Sequence, residues 1–119
     1  ENNEKGFTLI APPVLVRDEA RVGTGYYPGG EEQAYRCERD SLSLVGTSEV
    51  PLTSYHAGEI LEHGQLPLRF VACTPCFRRE AGAAGAATRG LYRVHQFTKV
   101  EQVVIGPADE AWSREEHFR

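Results

Sequence analysis

Methionine is absent from all 119 residues, position 1 included, so the chain is expected not to begin where translation began. Cysteine is scarce, and the three present are an odd number. That argues against a disulfide framework and fits a reducing compartment. Apolar runs extend only a few residues, far short of the ~20 that a membrane span needs. No basic stretch followed by an apolar core marks a secretory leader. Cations are not in excess either: 13 Lys and Arg against 17 Asp and Glu leave a net charge of −4. Bulk attraction to nucleic acid is thereby excluded, although a local basic patch is not. A helix stop is also missing. After Pro107, a good first helical residue, a helix-like run reaches Arg119 with no Gly or Pro to end it. The expectation is a piece of a longer cytoplasmic protein, cut at both ends, with no membrane partner.

What is present reads as one domain. Hydrophobic residues at 40% and charged residues at 25% are ordinary for a folded chain, and 119 residues fall within the ~100–200 of a single domain. Phe7 to Ile10 is a short strand, stopped by Pro12-Pro13. Val14 to Val22 reads as strand or short helix. Gly23 to Gly30 is a loop by composition. Tyr35 to Cys37 and Leu42 to Val45 read as two short strands around a charged turn. Gly46-Thr47-Ser48-Glu49-Val50-Pro51 has the hydroxyl caps and early proline of a helix start, which predicts a helix to about Leu61. Pro67 to Glu80 reads as a strand and Ala81 to Gly90 as a small-residue loop. Leu91 to Ile105, rich in Val and aromatics, is the longest strand signal. The sum is an α+β domain: a mainly antiparallel sheet with flanking helices.

Two motifs carry less chemistry than their spacing suggests. Cys73-Thr74-Pro75-Cys76 has redox spacing, but a reactive pair belongs at a helix N-terminus and this one falls mid-strand. A zinc site would need two more ligands, and Cys37 is the one cysteine left. His56, His63, His95 and His117 show no metal spacing, so no metal ligand is assigned. The Gly/Ala loop lacks the Gly-Lys-Ser/Thr ending of a phosphate loop. The strands around it are more informative. Alternation places Arg93, His95, Phe97, Lys99 and Glu101 on one face, with Tyr92, Val94, Thr98, Val100 and Val104 on the other. Arg78 and Glu80 share a face on the preceding strand, while Phe77 and Arg79 point away. A hairpin would gather cations, carboxylates and one aromatic ring on one side. A solvated polar face and a site for a stacked base beside a phosphate both fit that spacing.

Phe77-Arg78-x-Glu80, a loop, then Arg93-x-x-x-Phe97-x-x-x-Glu101 is similar to motif 2 of the class II aminoacyl-tRNA synthetases. Thr74-Pro75-Cys76-Phe77-Arg78, Glu80-Ala81-Gly82, Thr88-Arg89-Gly90-Leu91 and Arg93-Val94-His95-Gln96-Phe97-x-Lys99-Val100-Glu101 resemble the seryl-tRNA synthetases within that class. Gly46 to Thr53 resembles their Thr-x-Glu segment, here 47–49. Gly6-Phe7-Thr8 through Pro12-Pro13, about 6–13, resembles the end of motif 1, and about 74–101 corresponds to motif 2. The resemblance implies a partial class II catalytic domain over 1–119. It implies a ligase that joins serine to ATP as seryl-adenylate and passes the seryl group to tRNA-Ser. Arg78 would bridge the serine carboxylate and the α-phosphate as the catalytic residue, which suits a planar, always-charged fork. Glu80 would accept from the adenine amino group, Phe97 would stack on adenine and Arg93 would hold the β- and γ-phosphates. Thr47, Glu49 and Glu101 would receive the serine ammonium and hydroxyl. Lys99 lies near this set with its role open.

The family usually has Ser where this chain has Arg79. It also tends to carry an Arg-Asp pair where Ala86-Ala87 stand, which leaves Arg89 as the candidate tRNA contact. The long motif 1 helix of the family's homodimer interface, the coiled-coil arm and motif 3 are not in these residues, and the Mg²⁺ ligands are expected outside them too. Two other readings stand beside the ligase: a non-catalytic synthetase-like paralogue or binding fragment, and a class II ligase loading another carrier.

Overall fold

The computed structural model describes residues 5–81 and 93–118. Its chain opens with strand β1 (Thr8–Leu9) and, beyond the two prolines, strand β2 (Leu15–Arg17). Helix α1 (Asp18–Gly23) follows at once, so the segment open to two readings is strand and helix in succession. The break falls where the acidic pair Asp18 and Glu19 occupies the first helical turn and Arg21 the last, both favourable to the helix dipole. Strand β3 (Leu42–Leu44) pairs antiparallel with β2. The strand predicted at Tyr35 to Cys37 is reduced to one bridge, Arg36 to Ser43. There the carbonyls of Leu42 and Tyr35 accept the amides of Cys37 and Leu44.

Helix α2 covers only Glu49–Thr53, followed by a 3₁₀ turn at Ser54–His56, so the helix expected to reach Leu61 is much shorter. Gly58 has φ +80, a left-handed conformation that ends helices. Ser48 precedes the helix without capping it through its side chain; Thr47 Oγ1 instead accepts the Glu49 amide at 3.3 Å. Short as it is, α2 buries Val50, Pro51 and Leu52 and joins two apolar clusters. Val50 packs with Val16 and Val45, and Leu52 packs with Phe70 and Ala72.

A long hairpin is the backbone of the domain. Strand β4 (Leu68–Phe77) and strand β5 (Gln96–Ile105) pair antiparallel from Leu68–Ile105 to Phe77–Gln96, and β1 lies parallel on the other side of β4. Both strands are shorter than predicted. Beyond Phe77 the Arg78 amide still donates to the His95 carbonyl, but Glu80 adopts φ +54, which no strand accommodates. The predicted loop beyond Ala81, with Arg89, lies outside the described residues. Helix α3 is Glu110–Phe118. It begins later than Pro107 because the Asp109 carboxylate accepts the Trp112 amide at 2.7 Å, the bond of an N-cap residue. Arg69 of β4 ties α3 to the sheet, donating to both Glu116 oxygens at 2.5 and 2.7 Å. Among the described residues no helix is long and apolar enough to cross a membrane.

Candidate active site

The period of a β-strand decides which side chains meet. Even positions of β4 and odd positions of β5 share one face: Ala72, Thr74 and Cys76 stand beside Glu101, Lys99 and Phe97. Along β5 it is this polar series that is half-buried, whereas Thr98 and Val100 are exposed. A solvated polar face is therefore the wrong description. The charged side is the protected side, and the valine side faces outward. Cys73 is exposed and Cys76 buried, so alternation sends the two thiols to opposite faces. Among the described residues no three His, Cys, Asp or Glu side chains gather as a metal site.

At one end of this face the Val45 carbonyl accepts the Phe77 amide at 2.8 Å, which brings the segment after β3 against the end of β4. Thr47 consequently reaches the hairpin. Its hydroxyl donates to Glu101 Oε2 at 2.6 Å and accepts from Lys99 Nζ at 3.1 Å, and Lys99 also pairs with the same Glu101 oxygen. Burial works to raise the Glu101 carboxyl, but the hydrogen bonds from Lys99 and Thr47 and the charges of Lys99 and Arg78 outweigh it. The group is held below the ordinary carboxylate value. Glu49, predicted to join this pair, is adjacent through its amide, while its carboxylate accepts from the Tyr26 hydroxyl at 2.8 Å. Burial, then that hydrogen bond, push Tyr26 up to about 12, so it is a neutral donor at every physiological pH.

Of the other predicted residues, Arg78, Glu80 and Arg93 line a cleft of about 400 Å³ together with Tyr26, Gly46 and Phe77. Arg78 Nε donates to the Gly46 carbonyl at 3.2 Å, and the guanidinium lies 5.2 Å from the Phe97 ring centre, within cation–π range. Glu80 and Arg93 form an ion pair at 3.0 Å across the mouth of the hairpin. The left-handed backbone of Glu80 is a strained conformation of the kind that collects at binding sites. Arg79 points away, as alternation predicts. Its guanidinium donates to the Glu32 carbonyl and its amide to the Gln33 carbonyl.

Three contributors were not legible. Tyr26 sits in a glycine-rich loop whose composition announces only a turn. Its placement depends on the Arg21 carbonyl, which accepts the amides of both Tyr26 and Tyr27. Arg21 is itself buried, donating to Ser43 Oγ at 2.6 Å and to the Leu44 carbonyl. Gln33 anchors the hairpin by donating to the Ala81 carbonyl at 2.8 Å. Each acts over 20 or more residues of sequence, beyond any local pattern.

Fold and site together define a class II aminoacyl-tRNA synthetase core: the chain matches the tRNA synthetase class II core domain (G, H, P, S and T) over residues 35–118 and belongs to that family. Within it, the similarity is to serine–tRNA ligases. Identity is 55% over 108 residues to that of Mycolicibacterium vanbaalenii and 54% over 117 to that of Mycobacterium tuberculosis, covering 91% and 98% of this chain. The chain spans about a quarter of those relatives' length, 26% and 27%. Among solved structures, seryl-tRNA synthetase of Pyrococcus horikoshii, complexed with ATP, superposes with a TM-score of 0.88 at 44% identity. That match covers 98% of this chain and 26% of the other. Cytoplasmic serine–tRNA ligase of Naegleria fowleri, in complex with AMP, gives a TM-score of 0.82 at 31% identity, covering 98% and 28%.

Proposed function

We propose that residues 1–119 are the part of a serine–tRNA ligase catalytic domain that holds serine and ATP during adenylate formation, with the end of motif 1 at about 6–13, the Thr-x-Glu segment at 47–49 and motif 2 at about 74–101. The observation that carries this reading is the order of groups along one face, half-buried at Glu101 and Phe97 and open at Arg78 and Arg93. The Thr47–Glu101 acceptors lie at one end, Arg78 over Phe97 in the middle and the Glu80–Arg93 pair at the hairpin mouth. Thr47, Glu49 and Glu101 receive the ammonium and hydroxyl of serine. Arg78 neutralises the serine carboxylate and the α-phosphate together, which brings two anions to bonding distance. A carboxylate oxygen then attacks the α-phosphorus, the bond to the bridging oxygen breaks, and pyrophosphate leaves. Phe97 stacks on adenine, Glu80 accepts from its amino group, and Arg93 takes the β- and γ-phosphates, for which it must exchange its present partner. In the second step a hydroxyl of the terminal ribose of tRNA-Ser attacks the seryl carbonyl and AMP leaves, with Arg89 contacting the tRNA backbone. Mg²⁺ would accompany the ATP phosphates and supply charge neutralisation there, held by protein ligands outside this segment. The parent protein works in the cytoplasm as a homodimer.

The test is serine-dependent ATP–pyrophosphate exchange in a whole-length protein carrying this segment, beside its Arg78→Ala variant. Exchange that requires serine and is lost in the variant supports the reading. Exchange driven by another amino acid, or seryl transfer to a carrier protein in place of tRNA, overturns it.

A further inference from the structure

Lys99 is the charged residue of the protected face to which no substrate group has been assigned. Its ammonium touches both members of the acceptor pair, Thr47 Oγ1 at 3.1 Å and Glu101 Oε2. A threonine hydroxyl has one proton and two lone pairs. Thr47 gives its proton to Glu101 and accepts from Lys99 and from the Glu49 amide, so all three directions are used before substrate arrives, and serine takes the place of the longest of them, the 3.3 Å contact to the Glu49 amide. Both contacts to Glu101 fall on Oε2, which leaves Oε1 as the oxygen for an incoming ammonium. Lys99 and Glu101 are two residues apart on one strand face, with side chains 34% and 19% exposed. The pair is better shielded than a surface ion pair.

We infer that Lys99 is a positioning residue: by clamping Glu101 and Thr47 it aims the free carboxylate oxygen at the amino group of the substrate, without touching substrate itself. This rests on the proposed reading of the face as a serine site. A second cation beside a substrate ammonium would repel it, and the pairing with Glu101 removes that penalty while keeping the carboxylate ionised. The groups facing Glu101 are Lys99 on its own strand, Thr47 from the segment before α2, Glu49 at the first position of α2, Arg78 from the end of β4 and Tyr26 from the loop after α1. Of these, Lys99 and Arg78 favour ionisation by charge, and Arg78 is occupied by its own role.

The experiment is serine-dependent exchange in a whole-length protein carrying this segment, comparing unsubstituted protein, Lys99→Met and Lys99→Arg. Loss of a charge-assisted clamp predicts a serine KM raised about ten- to a hundredfold in Lys99→Met, with the ATP KM unchanged to within about twofold. The acid limb of kcat/KM for serine moves to higher pH, because Glu101 without its cation protonates sooner, and Lys99→Arg restores most of both. If Lys99→Met melts early, Lys99→Gln carries the same expectation. A rise in ATP KM equal to that for serine overturns the inference, since Lys99 would then be touching the nucleotide. Active unsubstituted protein with an unmoved serine KM and acid limb in the variant overturns it alone. Unsubstituted protein that gives no serine-dependent exchange overturns the serine reading and this inference with it.

Discussion

At the scale of single residues, the site is a set of charges held apart by what each is bonded to. Arg78 has no equal substitute, because a planar fork can span two anions where a point charge cannot. Arg78→Ala is expected to lower exchange by at least about a hundredfold, the scale of losing one preorganised charge donor, as read by single-turnover adenylate formation. Phe97→Ala should raise the ATP KM by about tenfold and leave the serine KM unchanged, in line with ~1–3 kcal/mol for a stacked base. Paired titrations of each substrate would check this. Tyr26 gives a prediction about alkali. Its folded value of about 12 lies above the ordinary 10.0, so its contribution to stability is fully present below pH ~10 and is lost as pH rises through about 12. Urea midpoints measured across that window should fall for the unsubstituted chain and fall less for Tyr26→Phe.

At the scale of elements, the strands were legible and the helices less so. Alternation in residues 93–101 assigned the face of Phe97, Lys99 and Glu101 correctly, because a period of two leaves no choice once the hairpin is paired. The same pattern could not say which face is covered, and burial falls on the charged one because the segment before α2 packs there. Helix lengths were overestimated at α2 and started too early at α3. At α2 the chain tightens to a 3₁₀ turn after Thr53 and leaves helical backbone at Ala57, just before the left-handed Gly58, and at α3 the capping carboxylate of Asp109 sets the start. Tyr26 and Arg21 were illegible because their partners, Glu49 and Ser43, are 23 and 22 residues distant. The junction of β5 and α3 offers a separate test. A Cβ at Gly106 would overlap the Trp112 indole, and Trp112 is the only tryptophan in the sequence. Gly106→Ala should displace the ring, shift its fluorescence to the red and cost about 1–3 kcal/mol in urea unfolding.

At the scale of the whole molecule, the core is two small clusters bridged by α2, so its integrity depends on few side chains. Leu52, fully buried against Phe70 and Ala72, is the clearest case. Leu52→Ala is expected to destabilise by about 2–5 kcal/mol, measured by denaturant midpoint, and to weaken serine binding as well, since Glu49 opens that short helix and Thr47 lies two residues before it. Activation and folding are coupled through that element as well as through the hairpin it packs on.

The ten paired positions of β4 and β5 also constrain how such a protein can change over generations. Insertion or deletion of one residue in β5 between Phe97 and Lys99 would turn Lys99 and Glu101 to the face opposite Phe97, which abolishes the chemistry in a single step. Length changes between the strands, in residues 82–92, leave that frame untouched. A lineage can therefore rewrite the connecting segment, alanines for charges included, while inheriting the adenylation face intact. Divergence in one and constancy in the other is the pattern that this ladder imposes on its descendants.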